Sequence, residues 1–281
     1  QMNEQVRNIP VSQLYPFPNR PFKVRNDDAM AELCASLRDY GVLSPLIVRP
    51  FEEGFQVVSG HRRRMAAIIL GLQELPSLVR VMSDDDAVIL LVDSNIQREN
   101  LLPSEKAFAY KMKLEAIKRK AGRPPKDNLC QVGTNLIGVR SDHIIASNLN
   151  ESARTVQRYI RLTYLETSIL DLVDDGRIAF SPAVELSFLN SQEQTILLDI
   201  MQAEDCTPSL SQAIRLKKLS QVGQLDPERI FEIMSEEKAN QKERIRIEVS
   251  RLRKYFPKSY TVKQMEETIL RMLEANYQKI S

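Results

Sequence analysis

Two short constellations in this sequence carry residue types suited to gripping phosphate. In the first, Val57-Val-Ser-Gly-His-Arg-Arg-Arg64, a strand-like run gives way at Ser59 and Gly60 to His61, Arg62 and Arg63 at the start of a helix. A helix N-terminus presents unsatisfied N–H groups and the positive end of the dipole, so it favours an anion. Guanidinium groups there add bidentate, charge-assisted hydrogen bonds, each contributing about 1.5 to 3 kcal/mol. The expected chemistry is capture of a phosphate chain. Taken alone, the same arginines also fit a solvated helix start or a contact to DNA phosphate.

The second constellation is Ser152-Ala-Arg-Thr-Val-Gln-Arg-Tyr-Ile-Arg161. Ser152 is placed to cap a helix on which Val156 and Ile160 form an apolar face, while Arg154, Thr155, Gln157, Arg158 and Arg161 face outward. Preceded by a short helix over 141–149 and a turn at Asn150, this spacing suits a helix-turn-helix, with Arg154, Thr155, Gln157 and Arg158 reading bases and Arg161 holding phosphate. A solvated amphipathic helix in a bundle has the same pattern. His143, on the first of these helices, reads as structural.

The elements needed to hold these residues are legible from periodicity. Ile9 to Leu14 reads as a strand and Asp27 to Tyr40 as a helix with Met30, Leu33 and Leu37 on one face, stopped by Gly41. Leu46–Arg49, Phe55–Val58 and Leu78–Val81 read as strands, and Arg62–Leu70 and Asp84–Ser94 as helices. Residues 8–101 thus form a small α/β domain. Pro103 opens a long helix over 104–120 with Ala107, Tyr110, Leu114 and Ile117 in one stripe. Residues 102–128 end in a breaker-rich linker, 129–205 hold the helix-turn-helix, and 206–281 are helical. The fold class is α+β multidomain: an α/β unit followed by an all-α region.

Between Leu102 and Arg161 there are 12 Lys/Arg against 5 Asp/Glu, whereas the rest of the chain has 27 against 32. Positive charge is concentrated where a polyanion would lie. Arg123 and Lys126, in Gly122-Arg-Pro-Pro-Lys126, are expected to touch DNA phosphate. That segment reads either as a basic linker or as the core of an AT-hook, although Ala121 stands where a hook carries a flanking arginine. Cys34, Cys130 and Cys206 are too far apart for a disulfide framework or a paired zinc site. No apolar run reaches the roughly 18 residues that span a bilayer, and the polar start lacks a signal-peptide pattern, so a cytoplasmic protein is expected.

Three boxes in order carry a family resemblance: Gly41-Val-Leu-Ser-Pro-Leu-Ile-Val-Arg-Pro50, then Val57 to Ala67, then Asp93-Ser-Asn-Ile-Gln-Arg-Glu-Asn100. Together, over about 8–189, the chain resembles the ParB partition family. That resemblance implies a ParB/sulfiredoxin-like N-terminal fold, CTP with Mg²⁺ as ligand, and a DNA clamp that closes on a parS-like site of double-stranded DNA. It further implies a homodimer, a ParA-type ATPase partner and a nucleoid-associated location, with no membrane association. Carried over, it adds Ser44, Pro45, Asn95 and Arg98 to the nucleotide residues, with Asn95 reaching the metal.

Two positions depart from the pattern. His61 replaces the family's glutamate; it need not abolish binding, since as an imidazolium it could face a phosphate, while a lone histidine also reads as structural. Ser94 replaces the glutamate of the third box. A hydroxyl brings neither negative charge nor basicity, so turnover of bound CTP is expected to be slow or absent. A sulfinic-acid reductase is disfavoured, because sulfiredoxin has a cysteine at the turn where His61 stands. A kinase or nuclease on this fold would need a carboxylate base, for which Asp93 and Glu99 are the candidates. A transcriptional regulator or nucleoid-occlusion protein would carry the same modules as a partition protein. At the C-terminus, Met265, Ile269, Leu270 and Leu273 suit either a dimer interface or a helical cap.

Overall fold

In a computed structural model, residues 6–24, 26–98, 101–121, 145, 151–236, 249–257 and 259–276 are described. The chain divides into two units, Gln1–Ser235 and Glu236–Ser281.

The first unit opens with a five-stranded mixed sheet. Strands β1 (Val6–Pro10), β2 (Leu14–Tyr15), β3 (Leu46–Phe51), β4 (Gly54–Ser59) and β5 (Glu74–Val79) lie in the order β1-β5-β3-β4-β2. β3 runs parallel to β5 and β2 parallel to β4, while the β3–β4 and β1–β5 pairs are antiparallel. The strand expected over Ile9–Leu14 is broken into β1 and β2 by a 3-10 turn, Val11–Gln13. β5 lies earlier than its apolar run indicates, and Val81 is 78% exposed beyond it.

Pro76 conceals β5 in the sequence, since proline donates no ladder bond. Its position explains the tolerance. The Arg80 N–H donates to Val48 O, so alternate residues, Pro76 among them, turn their nitrogen toward β3. There the parallel register begins only at Leu46↔Ser77, beyond Pro76.

Three helices follow: α2 (His61–Leu70) and α3 (Asp84–Asn95) pack on the sheet, and α1 (Asp28–Tyr40) packs on α2. α1 is capped by Asp27, which accepts from Met30 N at 3.0 Å, and it buries Met30, Cys34 and Leu37. Leu33, expected on that face, is only half-buried. α3 is capped by Ser83 and buries Ala87, Val88, Leu91 and Val92.

The next helix, α4 (Pro103–Ala121), buries Ala107, Tyr110 and Leu114 as its spacing predicts. It also buries Lys113 to 1% exposure, with the ammonium on Asp93 of α3. One core joins Phe17, Phe22, Leu91 and Val92 to Tyr110, Leu114, Ile145, Val156 and Ile160, so packing is continuous from the sheet domain through α4.

Beyond it, α5 (Ala153–Arg161), α6 (Thr167–Asp174), α7 (Phe180–Leu186), α8 (Ser191–Ala203), α9 (Leu210–Gln221) and α10 (Pro227–Ser235) enclose a second core. Leu162, Ile169, Leu186, Leu197, Leu216 and Ile230 lie at its centre, and it runs past residue 206 into α9 and α10.

In the second unit, α11 (Val249–Arg253) and α12 (Val262–Asn276) are described. Met265 is buried, whereas Leu270 and Leu273 are 54% and 55% exposed. Among the described residues no helix is long and apolar enough to cross a membrane.

Candidate functional site

The junction of β4 with α2 requires a glycine. Gly60 has φ +101°, and a Cβ there would sit 2.9 Å from Leu46 Cγ, so the backbone turns in a space no side chain can share. α2 then begins without a side-chain cap and without an acid in its first turn, unlike α1 and α3. It carries Arg62, Arg63 and Arg64 instead. Cations at the positive end of a helix dipole are unfavourable, and a bound anion would offset both the dipole and the clustered charge.

A cavity of about 360 Å³ opens in front of this N-terminus. Its walls are Ser59, Gly60, Arg62 and Arg63 from the β4–α2 junction, Ser94, Asn95 and Arg98 at the end of α3, and Ala29 and Leu33 of α1. The structure therefore brings together seven residues of the second and third boxes. Leu33, half-buried on α1, turns out to be part of the apolar wall.

Ser44 and Pro45 are placed differently. Their carbonyl oxygens accept from Arg63 Nη1, the Pro45 contact at 3.0 Å, so they hold the guanidinium and do not line the cavity. Arg64 Nε donates to Leu14 O at 2.7 Å. Arg49, from the first box, is buried: it donates to Gln56 Oε1 at 2.8 Å and pairs with Asp84 at 2.6 Å.

Sequence reading missed Arg20, which stands outside every box between Asn19 and Pro21. Burial, then Arg64 and Arg98, push its pKa below the ordinary arginine value. Burial does the same to Arg63 and Arg64, and for Arg98 burial is followed by the charge of Arg62. Guanidinium groups remain charged under such pressure, so the region is a fixed positive cluster. Among the described residues no carboxylate pairs with Arg20, Arg63, Arg64 or Arg98, while Arg62 lies 3.6 Å from Asp27.

His61 departs from expectation. Its ring is buried, does not line the cavity, and accepts from the Phe17 N–H at 3.4 Å through Nε2. Burial, then Arg20, Arg64 and Arg98, push its pKa down to about 3, against a bond to the Val57 backbone that raises it. With Nε2 accepting from Phe17 and the ring outside the cavity lining, His61 fastens the loop at Phe17 to α2 as a neutral ring instead of facing a phosphate.

The third box has little to offer a metal. Asn95 Nδ2 donates to Leu91 O at 2.7 Å and to Ser94 Oγ at 3.2 Å, and Ser94 Oγ donates to Leu91 O at 3.1 Å. No carboxylate is among the cavity's described lining residues, and no group of three His, Cys, Asp or Glu among the described residues is placed to hold a metal. Magnesium is usually held through one or two carboxylates with the substrate's phosphates, so described lining residues that offer only the neutral oxygens of Ser59, Ser94 and Asn95 do not fit the Mg²⁺ expected at Asn95. Asp93, a candidate base, is bound to Lys113. Glu99 lies outside the described residues.

In the reader segment, Ser152 accepts from Thr155 N at 3.0 Å and caps α5, and Val156 and Ile160 are buried as expected. Arg154 and Gln157 are exposed and Thr155 is half-buried. Arg158 and Arg161 do not simply face outward. Arg158 donates to Ser181 Oγ at 2.8 Å, with its guanidinium 4.8 Å from the Phe180 ring centre. Arg161 donates to Ser187 O at 2.7 Å and stacks 3.9 Å from Phe188 and 4.6 Å from Tyr164. Aromatic side chains on and near α7, distant in sequence, capture both arginines. The first reader helix, with His143, lies outside the described residues except for Ile145, as do Arg123 and Lys126.

Residues 1–96 match a family model described as the ParB N-terminal domain. The chain is 30% identical over 189 residues to the chromosome-partitioning protein Spo0J of Thermus thermophilus, covering 67% of this chain and 62% of that protein. It is 34% identical over 199 residues to a nucleoid occlusion protein of a Geobacillus species, covering 70% and 63%. It spans less than two thirds of either relative. Among solved structures, the C-terminally truncated ParB of Caulobacter crescentus complexed with CTP-γ-S matches at 26% identity and a TM-score of 0.32, covering 65% of this chain and 92% of that one.

Proposed function

The chain carries a ParB N-terminal domain and is a relative of the ParB and Spo0J partition proteins, and from that premise we propose that it is a sequence-specific DNA-binding protein whose reader is governed by CTP. The observation that carries this reading is the cavity in which Gly60, Arg62, Arg63, Asn95 and Arg98, from two separate boxes, meet at an uncapped helix N-terminus. Its volume suits a small ligand, and its arginines suit a phosphate chain.

Within it Arg63, held by Ser44 and Pro45, and Arg98 bind phosphate oxygens. The first-turn N–H groups of α2 cap the chain, and Ala29 and Leu33 give an apolar wall. Cytidine as the base rests on kinship. Ser94 supplies no general base, so bound CTP is not turned over at an appreciable rate.

The DNA-binding surface is a helix-turn-helix whose second helix is α5. Arg154, Thr155 and Gln157 read base edges. Arg158 and Arg161, anchored on α7, set the pose of α5, and the basic linker with Arg123 and Lys126 adds phosphate contacts. A homodimer, a ParA-type ATPase partner and a nucleoid-associated place in the cytoplasm follow from the same kinship.

Calorimetry tests the reading. CTP should bind, ATP and GTP should not, and Arg98→Ala should weaken CTP by roughly ten- to a hundredfold, the value of one charge-assisted contact. Equal affinity for all three nucleotides, or none for CTP, would contradict it.

A nucleoid-occlusion role is the second reading, favoured by the 34% identity to the Geobacillus protein. Occupancy mapped along the chromosome separates the two. Spreading around a few sites supports partition, and dispersed sites across the chromosome support occlusion.

A further inference from the structure

The charged residues that line the cavity are all of one sign, with Asp27 behind Arg62 and Glu105 acting on Arg98. Arg62, Arg63 and Arg98 form its walls, and Arg20 and Arg64 are close enough to depress the pKa of His61 beside it. The acids nearest in the fold are already engaged. Asp27 caps α1 and lies near Arg62. Asp93 holds Lys113, and Glu105 accepts from Lys23 N at 2.9 Å and Leu102 N at 3.2 Å. At the cavity wall, exposed Ser94 spends its hydroxyl hydrogen on Leu91 O of its own helix.

A divalent cation entering this space would meet three fixed positive groups in the walls, with Arg20 and Arg64 close behind, and no carboxylate among the described lining residues. Coulomb repulsion at such separations is substantial even in a surface-like dielectric, and magnesium sheds water only for strong oxygen donors. The guanidinium groups can do the neutralising themselves, because they stay charged and present paired donors matched to phosphate oxygens.

We infer that the cavity binds its nucleoside triphosphate without a divalent cation, arginines taking the metal's place, and that residue 94 sets this property. The inference rests on the nucleotide reading given above. It predicts that magnesium, by masking the phosphates in solution, brings no gain in affinity.

Calorimetry of the full chain with CTP in excess EDTA and again in excess Mg²⁺ tests it directly. Dissociation constants agreeing within about threefold are expected, and binding more than about tenfold weaker in EDTA overturns the inference while leaving the nucleotide reading intact. No heat of binding in either buffer overturns both.

The variant Ser94→Glu, a change at an exposed position, should turn the protein into a magnesium-dependent binder. Its carboxylate opposes the phosphates in EDTA and holds the ion when the ion is present. A Ser94→Glu protein as indifferent to magnesium as the parent would overturn the role given to residue 94.

Discussion

His61 shows what a single residue contributes when its neighbours are known. Its neutral ring is buried beside Arg20, Arg64 and Arg98, with a pKa pushed down to about 3 from 6.5 in the open chain. The unfolded chain therefore binds a proton below pH 6.5 that the folded protein refuses. Stability is unaffected above that value and falls as pH is lowered toward 3, by about 1.4 kcal/mol per pH unit. Thermal melts between pH 7.5 and 5 should show a steeper loss for the parent than for His61→Gln, which keeps an acceptor for Phe17 N–H and does not titrate. Identical slopes would remove the claim of a buried neutral imidazole.

The arginines of α5 divide at the same scale. Arg154→Ala should relax sequence selection at a cost of about 1 to 3 kcal/mol in binding and leave the melting temperature unchanged. Arg161→Ala, stripped of Ser187, Phe188 and Tyr164, should instead lower the melting temperature. Differential scanning calorimetry beside a binding titration separates the two.

At the scale of elements, α4 is the strut that ties the cavity to the reader. It packs on α3 and on α5, and its Tyr110 ring meets Tyr159 edge-on at 5.6 Å. Of its two buried charges, Glu105 and Lys113, the lysine is held by Asp93 next to Ser94. Removing the exposed partner leaves that ammonium uncompensated, so Asp93→Ala should cost about 3 kcal/mol in chemical denaturation, whereas Lys113→Met should be nearly neutral.

Elements with a local cause were legible in the sequence: α1 from its apolar face and the stop at Gly41, α2 from the glycines that bound it, α5 from Ser152 and its buried face. Those with a tertiary cause were not. Nothing within reach of Pro76 reveals that its nitrogen points past the end of a ladder. No heptad or stripe singles out Lys113, whose partner is on another helix. Arg20 joins the phosphate cluster only because the loop carrying it folds back over α2. Ser44 and Pro45 stand in a readable motif, but their work is done through carbonyls on Arg63, which residue types cannot disclose.

At the scale of the whole first unit, one core continues from the sheet domain into α4 and α5, so the cavity and the reader share a packed body. That body presents Arg154 and Gln157, exposed on α5, on one side where a polyanion could lie. The central claim is that this side selects a particular DNA sequence. Selection from a random pool of duplex oligonucleotides, with and without CTP, tests it most directly. The account predicts enrichment of one recurring site by the parent protein and its loss with Arg154→Ala; a pool in which no common sequence emerges under either condition would contradict it.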